Sequence, residues 1–199
     1  MNKKTLISLV VIATVVLGVG SWASGAYNTM VDRQEEATTA LSNVEATYQR
    51  RADLLPNLSK TVQAYAKHER ATFEEVAKAR AAAGQIKLDA DHLTPEKLRQ
   101  YQEVQGQVAA ALGKLMVVSE RYPDLKASDN FKDLQVQLEG CENRINEARQ
   151  KYNESVQEYN LAIRRFPANL LSGVYGFDKM VKFEASQGTE KAPELHFEE

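Results

Sequence analysis

Several charged and amide side chains of this 199-residue chain stand where helical spacing calls for aliphatics. Arg51, Glu69 and Arg80 fall on the inward stripe of one long helical pattern, and Glu142 and Arg149 flank the stripe of another. Asp53 stands within Arg50-Arg51-Ala52-Asp53-Leu54-Leu55-Pro56-Asn57-Leu58, the stretch around which the chain is organised. A lone charge enclosed in a bundle costs several kcal/mol in order of magnitude, so such groups pair across helices. Two kinds of chemistry are open to them: an ion-pair layer that fixes register, or a polar groove that holds a peptide or ligand. Asn153 and Asn160 belong with them. Each follows a tyrosine, and seven residues is about two helical turns, so the two amides share one face. A buried asparagine needs partners for its amide, which makes it a register device more often than a ligand contact.

Other chemistries find little support. His68-Glu69 suggests a zinc helix, but a second histidine four residues on is needed and that position is Thr72. His92 and His196 lie in a connector and in the tail, and no metal or cofactor is expected. Cys141, the single cysteine, falls on an apolar helical stripe and reads as a small core residue. There is no glycine-rich phosphate loop after a strand and no serine nucleophile elbow, so no catalytic residue is assigned and no enzyme is expected.

The positioning elements are helices. Hydrophobic residues make up 43% and charged residues 26%, an ordinary globular composition, and only 10 glycines and 5 prolines interrupt it. Lys3 and Lys4 precede an apolar run, and removing them from the 25 basic residues leaves 23 against 27 acidic ones. That mildly acidic remainder lacks the basic field of a nucleic-acid-binding protein.

Residues 5–26 carry no charge and would span roughly 33 Å as helix, enough for the hydrocarbon core of a bilayer. Trp22 suits the far interface, and the basic pair before the span predicts a cytoplasmic N-terminus with the rest extracytoplasmic. A cleaved signal is the alternative, since Ala23-Ser24-Gly25-Ala26 offers small residues for processing.

From Tyr27 to Arg80 the inward positions step by threes and fours: Val31, Gln34, Thr38, Leu41, Val44, Tyr48, Arg51, Leu55, Leu58, Val62, Tyr65 and onward. Pro56 predicts a kink rather than a reversal, and the helix is expected to stop near Ala83-Gly84. Thr94-Pro95-Glu96 opens a second helix that ends at Tyr122-Pro123. Ser128 caps a third, with Phe131, Leu138, Cys141, Ile145, Tyr152, Ser155, Tyr159, Ala162 and Phe166 inward, ending before Pro167. Ala168 to Phe177 is apolar enough to dock back on the bundle. Residues 186–199 are polar and acidic and are expected to be mobile, apart from the small apolar set Pro193, Leu195 and Phe197.

Taken together, Tyr27-Asn28, the Arg50–Leu58 run, His68-Glu69, Ala79-Arg80, Tyr122-Pro123-Asp124-Leu125, Glu142, Ala148-Arg149, Tyr152-Asn153, Tyr159-Asn160 and Phe166-Pro167 resemble the bacterial LemA family. Pro193-Glu194-Leu195-His196-Phe197 is similar to the family's ending. The resemblance implies a helical-bundle domain held at a membrane by one N-terminal helix, and it carries no enzymatic activity with it.

The sequence therefore predicts an all-α protein: an anchor or signal over 1–26, an elongated antiparallel three- to four-helix bundle over 27–183, and a polar tail over 184–199. Its expected role is a membrane-anchored extracytoplasmic scaffold or adaptor for envelope proteins. The alternative is a ligand- or peptide-binding protein using a polar groove around Arg51, Glu69 and Arg149.

Overall fold

The computed structural model describes residues 2–184. It holds six α-helices and a single 3-10 turn, with no strand among the described residues. Helix α1 runs unbroken from Lys3 to Tyr65, α2 from Arg70 to Gln85, α3 from Pro95 to Glu120, α4 from Pro123 to Ala127, α5 from Asp129 to Arg164 and α6 from Asn169 to Tyr175. At about 1.5 Å per residue α1 is on the order of 95 Å long. Its first part is apolar and long enough to cross a membrane, and Leu6, Ile12, Val16 and Leu17 lie bare of protein contact.

The helix boundaries follow local signals where those exist. Thr94 accepts a hydrogen bond from the Lys97 amide at 3.2 Å and Pro95 takes the first helical position of α3. Ser128 accepts from the Phe131 amide at the start of α5. Gly176, at φ +74, ends α6 in the left-handed conformation that glycine adopts without steric cost.

The first helical pattern departs from the expected single helix to Arg80. Helix α1 passes through Pro56 without interruption, and the chain instead reverses at Ala66–Glu69. The direction of α2 is fixed by its far end, where the Leu88 amide donates to the Glu45 carboxylate at 2.6 Å. No glycine or proline marks this turn. Burial makes it: Ala66 is fully enclosed, and Val76 and Ala79 of α2 close over Leu55, Leu58 and Val62 of α1. Helices α1 and α3 thus run one way, and α2 and α5 the other. Lys114–Glu75 and Arg121–Glu69 pair α3 with α2 and its turn, and Arg51–Glu142 and Arg33–Glu158 pair α1 with α5.

Three apolar clusters stack along the rod. The distal one joins α1, α2, α3, α4 and the start of α5 around Leu55, Val62, Leu112, Leu115, Leu125 and Phe131. A middle one joins α1, α3 and α5 around Val44, Tyr48, Tyr101, Ile145, Tyr152 and Val156, with Phe183 added from the C-terminal segment. The basal one is small: Met30, Tyr159 and Ile163, with Leu171 of α6 packed against them. The inward stripe of α1 keeps a strict heptad below Val44, through Ala37 and Met30, rather than passing to Thr38 and Val31. On α5 the stripe takes Val156 and Ile163 in place of Ser155 and Ala162, and Phe166 is exposed.

Candidate functional site

Arg51 is the most enclosed charge in the described structure, at 4% exposure. It lies on α1 between Tyr48 of the middle cluster and Leu55 of the distal one, so it divides the core. One guanidinium nitrogen donates to Glu142 Oε1 at 3.0 Å. The other donates to both the backbone carbonyl of Gln105 at 2.7 Å and its side-chain oxygen at 3.0 Å. The guanidinium also sits 5.0 Å from the centroid of the Tyr48 ring, within cation–π range. Its Nε finds no acceptor. Glu142 is 43% exposed, so the pair is half open to solvent on the α5 side.

Arg149 anchors a different element. Its guanidinium donates to the Glu184 carbonyl at 2.8 Å and lies over the Phe183 ring at 5.2 Å. Asn153 and Asn160 complete this arrangement. Asn160 gives its amide N–H to the Met180 carbonyl at 2.9 Å and accepts the Met180 N–H at 3.0 Å. Asn153 does the same with Phe183, at 3.0 and 2.8 Å. The tyrosines before them follow suit: Tyr159 donates to the Asp178 carbonyl and Tyr152 to the Val181 carbonyl.

Residues 177–184 therefore form an extended strap running antiparallel to α5, each asparagine imitating a strand neighbour. The spacings match. Seven helical residues advance about 10.5 Å, and three extended residues about 10 Å, so Asn160/Met180 and Asn153/Phe183 stay in step.

The remaining seam candidates lie elsewhere. Glu69 sits in the α1–α2 turn and accepts from Arg121 at 3.0 Å. Asp53 is on the exposed face of α1 and accepts from Gln49. Arg80 is exposed because the inward positions of α2 are Val76 and Ala79. The chain reversal at Ala66 explains both shifts, since α2 starts its own phase instead of continuing that of α1.

Two participants escaped the sequence reading. Gln105 is buried on α3 and reads as an ordinary surface glutamine. The strap was the second, and its signal was the tyrosine–asparagine repeat of α5. Tyr101, on the inward stripe of α3, packs edge-on against Tyr48 with ring centres 5.4 Å apart.

Burial raises the phenols of Tyr48, Tyr101, Tyr152 and Tyr159 above the ordinary tyrosine range, Arg149 and Arg51 opposing this at Tyr48. The Cys141 thiol is raised by burial as well and lies against the Thr47 carbonyl. A thiol held in its neutral form is a poor nucleophile. Among the described residues no three His, Cys, Asp or Glu side chains are grouped to hold a metal ion, and His92 meets Asp89 at the surface. Pro193, Leu195, His196 and Phe197 lie outside the described residues.

The model of the LemA family matches residues 40–197. The chain belongs to the LemA family. All eight seam candidates fall inside the matched region, and the apolar segment precedes it. Magnetosome protein MamQ 2 of Paramagnetospirillum magneticum is similar to this LemA-family chain, at 30% identity over 175 residues, covering 79% of the chain and 64% of the relative. MamQ of Magnetospirillum gryphiswaldense is 29% identical over 174 residues, with the same coverage. The chain thus spans about 64% of the length of these curated relatives.

Proposed function

We propose that this LemA-family protein is a non-enzymatic, membrane-anchored scaffold or adaptor. Its apolar segment spans the membrane with the N-terminus cytoplasmic, and the bundle stands outside to bind other envelope proteins. The observation that carries the reading is the continuity of α1, one helix from Lys3 through the apolar segment to Tyr65 in the distal core. A bundle joined to its span without a linker holds its long faces at a set height and orientation, which suits a support for partners more than a mobile binding module. Arg51, Arg149, Asn153 and Asn160 support it too, because their polar groups are directed to Glu142, Gln105 and the strap rather than to an open cavity.

The test is intact mass of the full chain extracted from its own host membranes, with crosslinking in place. A mass of 22.2 kDa and reproducible crosslinked partners are expected. A mass lacking the apolar segment, or no reproducible partner, counts against the anchored scaffold.

The competing reading is a ligand-binding groove, and the cleft of about 320 Å³ beside Tyr48, Tyr101 and Gln105 is its best location. Replacing Arg51 by methionine separates the two. A stable bundle that loses function favours the groove. Destabilisation by about 1–3 kcal/mol, the cost of orphaning the buried Gln105 oxygens while half-exposed Glu142 turns to solvent, favours register.

A further inference from the structure

Phe166 to Phe177 is a stretch of twelve residues without a charge. Within it α6 turns one side to the protein: Leu171 packs on the basal cluster, and buried Ser172 donates to the Ile163 carbonyl at 2.9 Å. The opposite side presents further large apolar residues to the outside. Leu170 is 63% exposed and Val174 78%, with Phe166 just upstream at 81%. A bare apolar patch marks an interaction surface.

Its position names the partner. The Tyr27 ring meets Tyr175 and Phe177 edge-on, at 5.0 and 5.6 Å between centres. Ala26 and Ala168 line one cleft with Arg165. Ala23 and Ala26 are half-covered while Trp22, Gly25 and Tyr27 around them are exposed. About 20 helical residues cross the hydrocarbon, which from Thr5 ends near Ser24. Helix α6 therefore lies beside the turn of α1 that leaves the lipid. Exposed Arg164, Arg165 and Lys179 flank the uncharged stretch in the chain, with Asp178 the one acid beside them.

We propose that Phe166–Tyr175 is a second membrane contact, its bare apolar side seated in the interfacial zone of the leaflet from which α1 emerges. Arg164, Arg165 and Lys179 face anionic headgroups there, as basic residues do at the edge of an interfacial helix. The inference rests on residues 5–26 spanning the membrane. Two contacts rather than one then fix the tilt and rotation of the rod.

Trp22 is the sole tryptophan, which makes the test direct. Full-length protein is reconstituted in phosphatidylcholine–phosphatidylglycerol vesicles, with lipids brominated near the headgroup end of the chains as quenchers. Leu170→Trp and Val136→Trp are each placed in a Trp22→Phe background, with helicity checked by circular dichroism. Leu170→Trp is expected to emit at short wavelength and to be quenched by brominated lipid to within about twofold of Trp22 in the wild type. Val136→Trp, at an exposed distal site, should stay unquenched. Quenched Trp22 with water-like, unquenched Leu170→Trp overturns the proposal and leaves the span intact. A blue-shifted but unquenched Leu170→Trp also overturns it, in favour of a protein covering the face. Unquenched Trp22 would remove the span itself, and the proposal with it.

Discussion

Asn153 and Asn160 are chemically equal and differ in enclosure, which makes them a controlled pair. Asn160 is 8% exposed, and truncation leaves the Met180 N–H and carbonyl without their side-chain partner. Losing both part-buried hydrogen bonds costs about 1–3 kcal/mol together. Asn153 is half-buried, so water can replace its amide at Phe183, and Asn153→Ala should cost about 1 kcal/mol. Urea unfolding of both variants checks the order. Hydrogen exchange adds a finer readout. The amides of Met180 and Phe183 should be protected, and each should lose protection only when its own asparagine is replaced. Equal costs for the two, or protection that does not respond, would mean that the strap is held by its apolar side chains alone. Arg51 follows the same logic at higher stakes, because it meets Glu142, Gln105 and Tyr48 at the boundary of two apolar clusters. Register is the role we propose for it: slide α1 by one turn, and the guanidinium enters an aliphatic layer.

At the scale of elements, the reversal at Ala66–Glu69 decides the architecture. A helix continued to Arg80 would leave Val76 and Ala79 beyond the end of the bundle, whereas the turn lays them on Leu58 and Val62. The two arrangements differ by a distance that can be measured. Gln49 and Lys87 line one cleft in the structure. A single straight helix would hold them roughly 57 Å apart. Spin labels at these two positions, in a Cys141→Ala background, should report a distance below about 25 Å. A distribution centred near the longer value would refute the hairpin. The strap is the second deciding element, and it works by matched pitch: the helix supplies amides every two turns, and an extended chain consumes one every three residues.

At the scale of the molecule, four tyrosines tie the middle and basal clusters together, and all are raised by burial. That fixes the sign of the alkaline response. In the unfolded chain the phenols lose their protons near pH 10, while in the fold they keep them to higher pH. The native state then binds more protons, so stability falls as pH rises. It is fully present below about pH 10 and declines above, by up to about 1.4 kcal/mol per pH unit for each tyrosine. Denaturation midpoints between pH 8 and 11 check this, and Tyr152→Phe should flatten the decline by one residue's share. A flat profile through pH 11 would mean that the phenols are hydrated in the fold.

Helix existence, the caps at Thr94 and Ser128, the apolar segment and the LemA resemblance were all legible in the sequence. Each depends on residues near one another in the chain, or on a period that local geometry sets. The heptad of α1 was readable from Leu41 to Val62 because neighbours on several sides keep it fully enclosed there. It was misread below Leu41, where α5 is the main partner and the half-covered Val31 and Thr38 each stand one residue from the buried Met30 and Ala37. Of the site, Arg51 and Glu142 were visible as charges out of place. That Gln105 completes them, that Glu69 answers to Arg121, and that Asn153 and Asn160 hold a strap rather than a helix were decided only by tertiary structure. The physical reason is common to all of them. A polar side chain declares a need for partners, but chain reversal and burial choose which distant backbone or side chain meets that need.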